Sequence, residues 1–78
     1  MDRIEAVGAV LTEHRRSLGL TQAQLAERVG LHRNEIGRAE RGQTRVALNT
    51  LFILADGLGV PASELLQSAE KLATRRSL

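Results

Sequence analysis

The sequence predicts an all-α fold, a compact bundle of five helices. Three observations predict it. Residues recur at helical spacing, as in the stripe Val7, Val10, Leu11, His14 and Leu18, at i, i+3, i+4, i+7 and i+11. Start and stop signals punctuate the chain: Thr21 stands three residues before Gln24, the pattern of a capping box, and glycines follow at 30 and 42. The two central helices between these signals are about eight residues each, too short to stand alone in water, so they must be one corner of a larger bundle. Seventy-eight residues make one small domain with little core, which a second copy would help to stabilise.

The first helix is expected over residues 4–18, with Gly8 inside it. That glycine costs about 1 kcal/mol against alanine, which points to a close packing contact rather than a break. The second helix spans Thr21 to Val29 and turns Leu25, Ala26 and Val29 inward. Gly30 ends it, because glycine adopts the left-handed conformation without a Cβ penalty, and Leu31 plugs the turn. The third helix runs from His32 to Arg41, with Ile36 and Ala39 inward, and Gly42 stops it. Its outward face or shoulder carries Arg33, Asn34 and Arg38. Arginine matches guanine O6 and N7 through two parallel bonds, and asparagine matches adenine N6 and N7. These three residues are the candidates for base contacts. His32 is a further candidate for a base or a phosphate. Glu35 fits either a cytosine amino group or a first-turn acid favoured by the helix dipole.

The run Leu18-Gly19-Leu20-Thr21-Gln22-Ala23-Gln24-Leu25-Ala26, then Val29-Gly30, Ile36 and Glu40-Arg41-Gly42, resembles the Cro/C1-type helix-turn-helix regulators. That family includes phage repressors, restriction–modification controller proteins and many antitoxins. The likeness covers roughly residues 7–66 and implies a lambda-repressor-like DNA-binding domain over residues 1–68, with 69–78 as a C-terminal helix extension and frayed tail. It implies that Arg15 pairs with Glu40 and so ties the first helix to the third. It implies phosphate contacts from Thr21 and Gln22 at the start of the second helix, and from Arg41, Gln43, Thr44 and Arg45 in the loop after the third. Such contacts position a protein on DNA without reading sequence. The chain departs from the family pattern at three places. His32 stands where Ser or Thr commonly caps, Gly37 lies within the third helix, and Ala39 replaces a larger apolar residue. A weaker cap and a close approach of backbone to DNA at Gly37 are the expected consequences.

The fourth helix, Leu48 to Leu58, should turn Leu48, Leu51, Leu54, Ala55 and Leu58 to the core, leaving Ile53 outward and Phe52 at the shoulder. An exposed Ile beside a half-exposed Phe suggests a dimer contact. Gly57-Leu58-Gly59-Val60-Pro61 breaks the chain, and Pro61 presets the fifth helix, which should extend to about residue 73. Leu66, Ala69 and Leu72 form a second candidate dimer stripe along it.

Ten of the eleven basic residues are Arg and the net charge is +2. The isoelectric point near 10.4 fits a nucleic-acid partner. The absence of cysteine excludes disulfides and thiolate metal sites, and two histidines are too few for a zinc site. No apolar run reaches the ~20 residues of a membrane span, and the N-terminus lacks a signal-peptide plan, so a cytoplasmic location is expected. With no nucleophile–base set, phosphate loop or metal cluster, neither an enzyme nor a cofactor nor a small-molecule substrate is expected. The leading expectation is a DNA-binding regulator, acting as a homodimer on a two-fold symmetric operator with half-sites ~34 Å apart. It would repress, or activate with RNA polymerase as a further partner. The alternative is an antitoxin-type interaction protein whose C-terminal helix binds a toxin.

Overall fold

The computed structural model describes residues 1–74. Five helices follow one another there: α1 (Arg3–Ser17), α2 (Gln22–Val29), α3 (Arg33–Glu40), α4 (Leu48–Leu58) and α5 (Ala62–Thr74). Residues 75–78, within the stretch expected to fray, lie outside the described residues.

Local chemistry sets the helix ends. At α1, the Glu5 N–H donates to Asp2 Oδ1 at 2.8 Å and the Asp2 N–H donates to Glu5 Oε1 at 3.2 Å. This reciprocal box starts the helix a residue earlier than its apolar stripe suggests. At α2, the Gln24 N–H donates to Thr21 Oγ1 at 3.0 Å and Gln24 Oε1 accepts from the Thr21 N–H at 2.8 Å. Gly30 closes α2 at φ 73°, and the Leu31 N–H returns to the Ala26 carbonyl at 3.0 Å. That left-handed residue turns the chain from α2 into α3.

The core joins all five helices. Its largest fully buried side chains are Leu11, Leu25, Ile36, Leu54 and Leu65. Each such side chain contributes roughly 1.5–3 kcal/mol of burial free energy. α1 packs against both α3 and α5, α2 against α3 and α4, and α4 against α5. Gly8 marks the α1–α3 crossing: a Cβ there would stand 2.5 Å from the Glu40 backbone oxygen and 2.6 Å from that of Ala39. The glycine is a packing contact, as its retention inside a helix suggests.

Several apolar positions differ from the expected faces. Leu18 is 49% exposed, because α1 ends at Ser17 and Leu18 leaves the helical track as the C-cap. Val7 and His14 are only half-buried, while Ala6 is fully covered. α1 has helices on two sides, and small residues let both approach. Leu31 is half-buried rather than sealed in. Leu48 is 66% exposed, since the first residue of α4 overhangs the core. Ile53, expected outward, is half-buried and walls a shallow groove with Leu18, Arg28 and Val29.

The fifth helix brings the largest correction. Ala69, proposed for a dimer surface, is 2% exposed and belongs to the core, and Leu72 and Ala73 pack partly buried against it. α5 packs against α1 of the same chain, and of the expected stripe only Leu66 stays exposed, at 40%. Residues 69–74 are therefore the last turns of a single core helix, α5.

Candidate nucleic-acid interface

α3 is held to the bundle by one polar node. Arg15 Nε donates to Glu40 Oε2 at 2.6 Å and Nη2 to Oε1 at 3.0 Å, a two-pronged ion pair. The remaining prong, Nη1, donates to the Leu20 carbonyl at 2.7 Å, and Gln22 Nε2 donates to Glu40 Oε1 at 3.0 Å. Side chains of α1 and the first turn of α2 thus converge on the last residue of α3, and the Leu20 carbonyl of the α1–α2 loop holds the Arg15 guanidinium in place. Burial pushes the Glu40 carboxyl up. The hydrogen bonds from Arg15 and Gln22 and the guanidinium charge outweigh it and hold the group below its ordinary value. The hydrogen bond to Glu40 raises Arg15 in turn. Both side chains are nearly inaccessible, at 9% and 5%, so the node fixes the angle of α3 from beneath.

The start of α3 is better capped than a histidine at that position suggests. The Asn34 N–H donates to His32 Nδ1 at 3.1 Å, and the His32 N–H donates to Glu35 Oε1 at 3.0 Å. An imidazole acceptor replaces the commoner hydroxyl, and the Glu35 carboxylate completes the box in the usual way. Glu35 is thereby occupied at the helix start, the dipole-favoured role of its two expected readings.

Arg33, Asn34 and Arg38 are all exposed on α3, and His32 is exposed at its cap. At about 100° per residue, Asn34, Arg38 and Arg41 at i, i+4 and i+7 share one stripe opposite Ile36, with Arg33 at its shoulder. Among the phosphate candidates, Thr21, Arg41, Gln43, Thr44 and Arg45 are exposed, and Gln22 is half-buried with its amide N–H directed to Glu40. That bond places the start of α2 beside the end of α3. Arg38, Thr44, Arg45 and Thr50 also line one crevice of about 150 Å³ between α3, the following loop and α4. Arg38 of α3 thus adjoins Thr44 and Arg45 of the following loop.

Gly37 departs from expectation. It is buried, and a Cβ there would stand 2.9 Å from Arg41 Nη1. The Arg41 side chain lies over it, so the glycine backbone is not bare for DNA. The i, i+4 spacing of Gly37 and Arg41 is a signal the sequence holds. So is the i, i+4 pair Leu48 and Phe52, both exposed on α4, at 66% and 52%.

Two short helices at a glycine turn, the second presenting arginines and an asparagine to solvent over a core of three more helices, define a DNA-binding regulator of the helix-turn-helix class. The chain belongs to the helix-turn-helix family, whose profile matches residues 11–65. It is 41% identical over 78 residues to control protein C.SmaI of Serratia marcescens, covering 100% of this chain and 84% of that one. Its fold is similar to the restriction-modification controller protein C.AhdI of Aeromonas hydrophila, at 39% identity and TM-score 0.77 over 80% of this chain and 94% of that one. It is also similar to the clp gene regulator ClgR of Corynebacterium glutamicum, at 26% identity and TM-score 0.92 over 99% of this chain and 82% of that one. No helix among the described residues is long and apolar enough to cross a membrane.

Proposed function

We propose that the protein binds a two-fold symmetric duplex site as a homodimer and regulates transcription there. α3 lies in the major groove. Arg33, Asn34, Arg38 and His32 face base edges, and Thr21, Gln22, Arg41, Gln43, Thr44 and Arg45 face the backbone. The observation that carries this reading is the exposed arginine and asparagine face of α3, locked from below by the Arg15–Glu40–Gln22 node. The likeness to control proteins over the full chain favours a restriction–modification controller over a phage-type repressor. From an adjacent site such a dimer represses, or activates by touching RNA polymerase.

The surface proposed for the dimer is the exposed face of α4, with Leu48 and Phe52 at i and i+4, and Leu66 of α5, at 40% exposure, is a second candidate. Exposed apolar side chains grouped in this way mark an interaction surface. The alternative reading, a toxin-binding α5, loses support because Ala69 and Leu72 pack on the chain's own core.

Selection of binding sites from random duplexes tests the proposal. The expected product is an inverted repeat whose halves lie about one helical turn apart, ~34 Å. Enrichment of an asymmetric site, or of none, contradicts it.

A further inference from the structure

We infer that Arg41 is a specificity-determining residue, seated by Gly37 so that its guanidinium reads a guanine from the middle of α3. This deepens the regulator reading above and rests on it. Arg41 belongs there to the phosphate-facing loop, yet its side chain is built into the helix surface. Two contacts hold it. Nη1 lies against Gly37, 2.9 Å from where a Cβ would be, and Nε donates to Gln43 Oε1 at 3.0 Å. Gln43 is placed in turn by the helix end. The Gly42 N–H returns to the Ala39 carbonyl at 3.2 Å and the Gln43 N–H to the Arg38 carbonyl at 3.0 Å, with Gly42 at φ 67°. This paired closure folds residue 43 back over the last turn.

Helical side chains lean toward the N-terminus and cover the turn before their own Cα. The Arg41 head group follows that rule and lies level with residue 37, beside the stripe of Asn34 and Arg38 rather than at the helix end. Its Nε is taken by Gln43, while neither Nη group has a hydrogen-bond partner among the described residues. Two parallel N–H donors held in a fixed plane match guanine O6 and N7. Arginine also grips phosphate with two prongs, so the placement decides: the head group sits against Gly37, in the middle of α3, rather than out along the loop. A side chain at position 37 would occupy the seat, which accounts for a buried glycine inside a short helix despite its propensity cost.

Gly37→Ala separates folding from reading. The atom its Cβ meets is the far end of a flexible side chain, so the fold accommodates it, and alanine is the better helix former. The melting temperature should rise. Affinity would be measured for the selected site and its single base-pair variants, for wild type, Gly37→Ala, Arg41→Ala and the double variant. Discrimination at one guanine per half-site should fall roughly 10-fold or more in both single variants, the effect of losing a two-pronged contact. The double variant should be no worse than Arg41→Ala alone. In the DNA-free protein, the Arg41 Nε–H resonance should be protected in wild type and lose protection in Gly37→Ala and Gln43→Ala. An Arg41→Ala variant that weakens every duplex equally overturns the inference and returns Arg41 to the backbone. So does a Gly37→Ala variant that discriminates like wild type. A wild-type protein that ranks all duplexes equally overturns the regulator reading itself.

Discussion

Glu40 is an acid at the C-terminal end of a helix, where the dipole disfavours negative charge. It is stable there because its carboxylate accepts three N–H donors, two from Arg15 and one from Gln22. Glu40→Gln keeps the shape but leaves the Arg15 guanidinium buried without a counter-charge. Breaking a buried pair on one side costs about 3–5 kcal/mol, and urea unfolding should show a loss of that order. The pH dependence has a definite sign. The folded carboxyl lies below its ordinary value of 4.5, so the unfolded chain binds the proton more readily. The stabilisation is therefore fully present above pH 4.5 and is lost as pH falls through the lower folded value. In Glu40→Gln that part of the acid-induced loss should disappear. The pairing of Arg15 with Glu40 was legible from the family resemblance. The share of Gln22 was not, since a polar residue in a first turn reads equally well as solvent-facing.

At the scale of elements, the α1–α3 crossing is the tightest contact, because Gly8 meets backbone carbonyls that cannot rotate away. Gly8→Ala gains about 1 kcal/mol of helix propensity but overpacks the crossing, an effect of about 1–3 kcal/mol. The net expectation is a lower denaturation midpoint and a tilted α3, hence weaker DNA binding. A midpoint equal to or above that of the parent protein would show that the helices slide apart freely. Capping and periodicity made the five helices legible, since Thr21–Gln24, Gly30 and Gly42 carry their own physics in one turn each. Periodicity shows that Leu65, Ala69 and Leu72 share a face. It does not show whether a neighbouring helix or a second chain covers that face, which is why α5 proves to be core. Leu48 illustrates the same limit, because a residue in phase with a buried stripe still overhangs it at a helix end. The His32 cap was hidden for a different reason: imidazole is an uncommon acceptor at that position, although Glu35 three residues on completes the box.

For the whole molecule, a small core and an exposed α4 face point to assembly. Phe52→Glu places a charge at the proposed dimer surface without touching the core, as Phe52 is 52% exposed. Sedimentation should show a shift toward monomer while helicity is retained. Affinity for a full operator should fall toward that for a half-site. A fully dimeric Phe52→Glu protein would place the interface elsewhere.

The claim on which the rest depends is that α3 reads sequence while Arg45, in the loop after it, grips the backbone. The most direct measurement compares Arg38→Ala with Arg45→Ala across a panel of operator variants and a salt series. Arg38→Ala should cost ~1–3 kcal/mol and relax one position in each half-site. Arg45→Ala should weaken all duplexes alike and reduce the slope of log affinity against log salt by about 0.9. If both variants weaken every duplex equally and differ only in that slope, the arginines of α3 act as general charge, and the protein's specificity does not come from this helix.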